Sequence, residues 1–348
     1  MYNKIAKYQL FANANTNVTT AQGMSPEMRT FYEKQLIKTA EPDLIFDQFG
    51  QKAPIPKNGG KEIQFRKYAS LGKQLTPLTE GVTPDGQTLT VSEVKATVAQ
   101  YGGYVTLSDI LELTTIDNNV VQATEIMASQ AGRTLDTVTR DIVCGGSNVF
   151  YAPKIVSNVK TAVATRSGMD ATSAIDVDTI MKAVAFLRAQ NAPKIDGSYI
   201  GIIHPYASYD LRKDPEFVEW NKYTTPEKMW YGEIGKIGDV RFIEDSEAKI
   251  FNDGTATNPT CPSYTESSTT KYMSVFMTMI LGANAYGVTE VEGGGLQHIV
   301  KPLGAGEDPL NQRATVGWKA LKVAERLVEQ YMVRIESTGA YAKTATAN

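Results

Sequence analysis

The sequence predicts an α+β fold built around one oversized hairpin and one oversized helix. Three observations carry that expectation. Two strand-like runs, residues 61–68 and 89–98, flank a connection over residues 71–88 that holds Gly72, Pro77, Gly81, Pro84 and Gly86. Apolar residues then recur at three- and four-residue spacing from Val120 to Ile142, the period of a buried helix face. From about Lys160 short helical and strand-like patterns alternate. The 348 residues allow about two domains, taking ~150 residues for each.

Residues 1–23 are rich in Asn, Thr and Ala without a sustained period, which predicts an extended or disordered arm. Ser25-Pro26-Glu27 opens a helix with an N-cap, a proline at the first helical position and an acid in the first turn. "KEIQFRKY" alternates Ile63 and Phe65 against Glu62, Gln64 and Arg66, a half-buried strand. "TPDGQ" is a turn by its own chemistry, since proline presets φ and glycine accepts a positive φ. The return run carries Leu89 and Val91 on one face, then Val94, Ala96 and Val98 on the other, so a bulge or twist is expected at Ser92-Glu93. A two-stranded hairpin is marginal alone in water, so this one needs a surface to lie on.

"YVTLSDILELTTIDNNVV" switches to helical periodicity. Asp117 is the expected N-cap, and Val120, Val121, Met127, Ala131, Leu135, Val138 and Ile142 form the stripe, which stops at Gly145-Gly146. Further on, Asp178 is the expected cap of a helix carrying Ile180, Val184 and Leu187. "SYIGIIHP" is a short buried strand stopped by Pro205, and "YASYDLR" and "PEFVEW" are short helices. "GEIGKIGDVRFIED" alternates between glycine turns, "YMSVFMTMILGANAYGV" is an apolar strand with a continuation, and "EGGGLQHIV" is a glycine-rich bend. Residues 316–331 fit two patterns: Val316, Ala320, Val323, Leu327 and Tyr331 match a helix, whereas "YMVRIE" alternates like a strand.

The chemical inventory is poor. A net charge of −3 gives no basic footprint for sequence-specific nucleic-acid binding. The first twenty residues lack an apolar core with a small-residue cleavage site, so the chain is expected to stay in the cytoplasm where it is made. Cys144 and Cys261 have no CxxC partner, which argues against a zinc knuckle or disulfide framework; Cys144 reads as a small buried residue. Phosphate-loop, dinucleotide, HExxH and EF-hand patterns do not occur, so no cofactor, metal or catalytic residue is expected. His204 with Ser208 or Asp210 could be imagined as a hydrolytic set, but the strained nucleophile elbow is missing, and a strand-end histidine bonded to backbone is the simpler reading. His298, the carboxylates Glu244-Asp245 and Glu307-Asp308, and Lys57 and Lys61 read as solvated loop groups. Trp220, Tyr223, Trp230 and Tyr231 could stack a sugar or base, with a packed core or subunit contact the plainer use.

The order of parts is informative: polar arm, long hairpin, long helix, mixed lobe, return to the middle. It resembles the major capsid proteins of tailed phages with the Hong Kong 97 fold. "LTEGVTPDGQTLTVSEVKATVAQYGGYVTLSDILE" is similar to the hairpin-to-helix passage of the podophage N-four-type subgroup, and "GEIGKIGDVRFIED", "LGANAYGV" and "DPLNQRATVGWK" to its later landmarks. Each motif alone is turn and packing chemistry; the ordered set is specific. The helical period at residues 316–331 departs from the strand this family would place there.

The resemblance implies an N-terminal arm over residues 1–50, an E-loop hairpin over 51–104 and a peripheral domain over 105–159 that includes a spine helix. An axial domain over 160–293 follows, with a return to the peripheral domain over 294–348. Through it, Ile63, Phe65, Leu75, Pro77, Leu78, Glu80, Val82, Pro84, Leu89 and Val91 become expected E-loop contacts with a neighbouring copy. Val121, Met127, Leu135, Val138 and Ile142 become the spine-helix core. The implied function is a major capsid protein that self-assembles from pentamers and hexamers into an icosahedral shell around double-stranded DNA. The implied partners are a portal, a separate scaffold protein and decoration proteins; the implied places are the virion and, during assembly, the host cytoplasm. An encapsulin-type compartment shell is the nearest alternative, and a hydrolase using His204 a remote one.

Overall fold

The structure, a computed structural model, describes residues 44–54, 61–68, 71–78, 80, 81, 83, 86–114, 119–221, 233–252, 260–266, 268–289, 296–303, 310–341 and 343–348. The expected N-terminal helix, Lys57, Val82, Pro84, Asp117, Glu307-Asp308, and the aromatic segment Tyr223 to Tyr231 with the Trp220 side chain lie outside the described residues. The chain divides into two compact units.

One unit draws on Leu44 and the described residues within Ala99–Leu135 and Val291–Lys322. Its frame is an antiparallel sheet in the order Leu296–Lys301, Arg313–Lys322, Ala99–Ser108. Alternation sends Leu107, Ala314, Val316, Trp318 and Ala320 to one face, where Ala123, Met127, Ala128, Ala131 and Leu135 of the helix Asn119–Cys144 cover them. The helix lies close because Gly103 presents no side chain: a Cβ there would sit 3.1 Å from Gln130 Oε1. Gln130 Oε1 in turn accepts from Trp318 Nε1 at 3.3 Å.

The other unit holds the described residues within Ile45–Val98, Asp136–Glu290 and Val323–Asn348. Its main sheet runs Val149–Tyr151, Met332–Thr338, Val275–Leu281, Tyr199–Ile203, Val240–Glu244, Glu233–Ile237, with Ile250–Phe251 paired onto Val275–Leu281. Every residue of Val275–Leu281 is buried, because the sheet is covered on both faces. Phe276 and Ile280 join the core under the helix Val177–Ala189, while Met277, Met279 and Leu281 join a second core with Phe46, Val143 and Tyr286. A small sheet of Gln51–Ala53, Tyr286–Thr289 and Ala324–Arg326 and the hairpin Glu62–Tyr68/Val91–Thr97 complete this unit.

Several local expectations need correction. Residues 104–108, expected at the onset of a helix, belong to the ten-residue strand Ala99–Ser108, in which Tyr101, Gly103 and Leu107 face the helix Asn119–Cys144. "LQHIV" is also a strand, so His298 belongs to a ladder and not to a linker. The ambiguity at 316–331 resolves into strands through Arg326 and a 3-10 turn at Glu329–Tyr331; the four-residue spacing of Val316 and Ala320 also satisfies a period of two, and the three-residue step to Val323 falls where one strand ends and the next begins. Asp176, not Asp178, caps Val177–Ala189: its Oδ1 accepts from Thr179 N at 2.9 Å, leaving Asp178 in the first turn to pair with Lys182 at 2.6 Å. The hairpin ladder runs unbroken from Glu62↔Thr97 to Tyr68↔Val91, so Ser92-Glu93 holds no bulge.

Ile142 is the clearest miss in the helix. Buried residues recur as pairs every four positions, from Ala123-Thr124 to Val143-Cys144. Four residues turn the helix by about 400°, so the stripe winds about 40° round the axis at each repeat. Met127 and Leu135 lie on it, Val121 and Val138 are half-buried beside it, and Ile142 is 36 % exposed.

Candidate assembly surface

The hairpin has two parts with different environments. At its root, Phe65 faces Val94 and Ile63 faces Ala96 across the ladder, and Val98 N donates to Lys61 O at 2.8 Å. Ile63 and Phe65 are 5 % and 3 % exposed, packed with Ala53, Val323 and Leu327 of their own chain. Phe65 fits because its neighbour is Gly287, where a Cβ would lie 2.7 Å from Phe65 Cδ1. These two residues, expected as contacts with another copy, are anchors instead. The physical reason is the bare backbone at Gly287, a distant residue that nothing in the hairpin sequence announces.

Beyond the root the apolar residues lose cover. Leu75 is 83 % exposed, Leu78 76 % and Leu89 61 %; Leu71, Pro77, Glu80 and Val91 are exposed too. The span is bridged by Gln87 Nε2, which donates to Gly72 O at 3.3 Å. Large side chains at such exposure are what an unoccupied protein-binding surface presents.

The residues that could carry chemistry are otherwise employed. His204 caps the helix Pro205–Leu211, its Nδ1 accepting from Tyr206 N at 3.1 Å. Its ring packs with Tyr206 and Phe276, centroids 4.9 and 5.1 Å away, and burial pushes its pKa down to about 4. Ser208 Oγ donates to Glu244, and Asp210 Oδ2 accepts from Ala340 N at 2.7 Å, so no nucleophile, base and orienter converge. Burial raises the Cys144 thiol to about 12, and Cys261 is buried as well. Among the described residues no group of His, Cys, Asp or Glu could hold a metal ion, and no helix is long and apolar enough to cross a membrane. A cleft of about 340 Å³ lined by Val149, Phe150, Tyr151, Val163 and Lys182 holds a single charged group, the lysine.

The sequence profile of phage capsid proteins matches residues 91–331, more than half of the chain. The chain belongs to the phage capsid protein family. No curated protein sequence matches it. Among solved structures it is similar to the capsid of Ralstonia phage GP4, with a TM-score of 0.60 and 13 % identity over 86 % of this chain and 87 % of that one. The capsid of cyanophage P-SCSP1u gives 0.59 and 14 % over 84 % and 87 %. The capsid asymmetric unit of cyanophage Pam1 gives 0.54 and 13 % over 97 % and 100 %. At such identity these neighbours speak for the fold, the Hong Kong 97-like α+β class expected from the sequence. The capsid protein is thus a structural, major capsid protein that forms a multimeric phage shell, and its place is the virion.

Proposed function

We propose that this capsid protein builds an icosahedral shell of pentamers and hexamers by laying its hairpin, as an E-loop, across a neighbouring copy. The observation that carries this is the division of the hairpin. Its root is anchored by Phe65 on Gly287, while Leu75, Leu78 and Leu89 stand exposed beyond it. A shell subunit must contact identical copies through several different surfaces, and heterologous contacts close into rings where the rotation permits. Many weak contacts sum across a closed shell.

Under this reading residues 1–50 are the arm, 51–104 the E-loop, 105–159 with the return from 294 the peripheral domain, and 160–293 the axial domain; the return, expected to run to 348, is corrected at its end, since Met332–Thr338 pairs with Val275–Leu281 in the main sheet. The resemblance of its sequence landmarks supports reading it as a member of the podophage N-four-type subgroup. The role involves no catalytic step, in keeping with His204 serving as a helix cap. Assembly takes place in the host cytoplasm with a separate scaffold, a portal and decoration proteins. The shell encloses double-stranded DNA without gripping it, as suits a chain of net charge −3, since a strongly basic lining would hold the phosphates.

The test removes residues 75–87 and examines the protein by sedimentation and negative-stain microscopy under conditions where the full chain forms particles. Soluble, folded subunits without closed shells are expected. Normal particles would overturn the E-loop assignment.

A further inference from the structure

Two exposed patches of opposite charge occur in the unit that contains the main sheet. The first gathers at the two-residue turn between Glu233–Ile237 and Val240–Glu244. Asp239 sits there with φ of +77°, and its carbonyl accepts from Tyr199 N at 2.8 Å, so the turn lies where the strand Tyr199–Ile203 begins. Its carboxylate pairs with Lys194 at 2.8 Å and with Arg188 in the last turn of Val177–Ala189, and Lys236 approaches to 4.0 Å. Arg241 stands across the ladder from Lys236, and Asp196 follows two residues after Lys194, so cations outnumber carboxylates. Arg188, Lys194 and Lys236 all keep a third or more of their side chains in solvent.

The second patch is reached from the other end of the same strand. After Ile203 the chain runs through His204 and Pro205–Leu211 to the helix Pro215–Asn221. Phe217 holds that helix to the core, while Glu216, Val218 and Glu219 point outward. Glu216 and Glu219 make no ion pair among the described residues. Asp214 is occupied by the backbone N–H groups of Glu216 and Val177, each at 3.1 Å. The nearest preceding cation, Lys213, lies over the Tyr209 ring at 4.2 Å.

Resting on the shell reading above, we propose that these patches meet between copies, Arg188, Lys194 and Lys236 of one subunit facing Glu216 and Glu219 of the next. A head-to-tail contact of this kind is what a closed ring needs, two different surfaces of one chain that complement each other. Complementary charge steers the encounter and rejects wrong registers, and at exposed side chains it weakens with salt. Nucleic acid is the other polyanion present in a phage shell, but it has no use for the acidic helix, and the second-copy contact accounts for both patches.

The experiment reverses the charges in turn: Lys194→Glu with Lys236→Glu, Glu216→Lys with Glu219→Lys, and all four together. Particle yield is read by sedimentation at low and high salt, and folding by circular dichroism. Each double reversal should lower particle yield ~10-fold or more at low salt, and the fourfold variant should recover most of it. Either double assembling as the wild type does, or a fourfold variant no better than the doubles, overturns the contact. If a double loses its folded spectrum, Lys194→Gln and Glu219→Gln take its place, and undiminished yields from both count against the contact. Particles formed at full yield but emptied of nuclease-protected DNA by the lysine reversals would assign the basic patch to nucleic acid and refute the proposal. Wild-type protein that never forms particles would instead refute the shell reading itself.

Discussion

Replacing Gly287 by alanine tests whether the hairpin root is docked on its own subunit. A Cβ at that position would lie 2.7 Å from both Cδ1 and Cζ of Phe65, and nearer still to Cε1. Separations below 3 Å are repulsive, so the ring or the strand Tyr286–Thr289 must move. Neither has much room: the ring is 3 % exposed between Ile63 and Ala96, and the strand is held on both sides by Gln51–Ala53 and Ala324–Arg326. Overpacking of this kind costs about 1–3 kcal/mol. At ~2–4 °C per kcal/mol for a unit of this size, Gly287→Ala should lower the melting temperature of the unassembled subunit by roughly 2–12 °C. Phe65→Leu alone should also destabilise, because it removes buried ring atoms. Together the two changes should cost less than their sum, by ~0.5–3 kcal/mol, since the shorter side chain leaves space for the new methyl. The assay is a double-mutant cycle by urea unfolding, with trypsin cleavage at Arg66 as a local readout. Strictly additive effects, with cleavage at Arg66 unchanged in both single variants, would show that the root does not rest on Gly287.

Three further outcomes are expected. His204 has a pKa of about 4 folded against 6.5 unfolded, so as pH falls the unfolded chain takes the proton first; stability present above pH 6.5 is lost towards pH 4. Wild-type protein should lose about 2 kcal/mol between pH 7 and pH 5 from this group, and His204→Asn, which keeps a cap acceptor, should lose less; equal losses in urea titrations at the two pH values would contradict the argument. Glu336→Gln should destabilise by about 3–5 kcal/mol in thermal melts, because fully buried Glu336 pairs with Arg166 at 2.6 Å and lies 2.9 Å from Arg334, and the change removes the buried carboxylate that both cations share. Leu135→Asp should prevent soluble folding, since it puts a charge among Met127, Ala131 and Trp318, whereas Ile142→Asp at the exposed edge should stay within ~0.5 kcal/mol of wild type; a soluble Leu135→Asp subunit would show that face to be open.

What could be read in the sequence was what local chemistry decides. The long helix announced itself because its stripe of Met127, Ala131 and Leu135 repeats over many turns and stops at Gly145-Gly146. "SYIGIIHP" gave its strand and its end, since proline cannot continue the ladder. His204 reads as a strand-end histidine bonded to backbone, and its Nδ1 does accept from Tyr206 N at the start of Pro205–Leu211. The misses share a cause in distant partners. Residues 99–108 become a strand because Arg313–Lys322 pairs with all ten of them, a partner about 200 residues away in the chain. Asp176 displaces Asp178 as cap because either acid suits the local pattern and only the entry angle of the chain decides. Ile63 and Phe65 are expected as contacts only through the resemblance; distant Val323 and Leu327 cover them, and Gly287 leaves room for the Phe65 ring. A composition rule could have found that site only by asking why a glycine interrupts the apolar run "NAYGV".

The same division explains how a marginal hairpin can be useful before it meets a neighbour. A two-stranded ribbon free in water would sample many directions, and ordering it on contact would cost the entropy of every residue fixed. Here the seven-residue ladder Glu62–Tyr68/Val91–Thr97 is already formed and its inner end already seated. On the proposed reading the outer part is what is offered to a partner, and Leu71, Leu75, Leu78 and Leu89 there carry large exposed side chains. On that reading, anchoring the root fixes the direction in which Leu75 and Leu78 are offered and lowers the entropy that contact would cost. A looser root should then weaken assembly even though no contact residue has changed. Gly287→Ala subunits at a temperature well below their melting point should form fewer particles than wild type, while Ile142→Asp subunits of equal solubility should not. Equal yields from all three would mean that the outer hairpin finds its partner whatever holds its base.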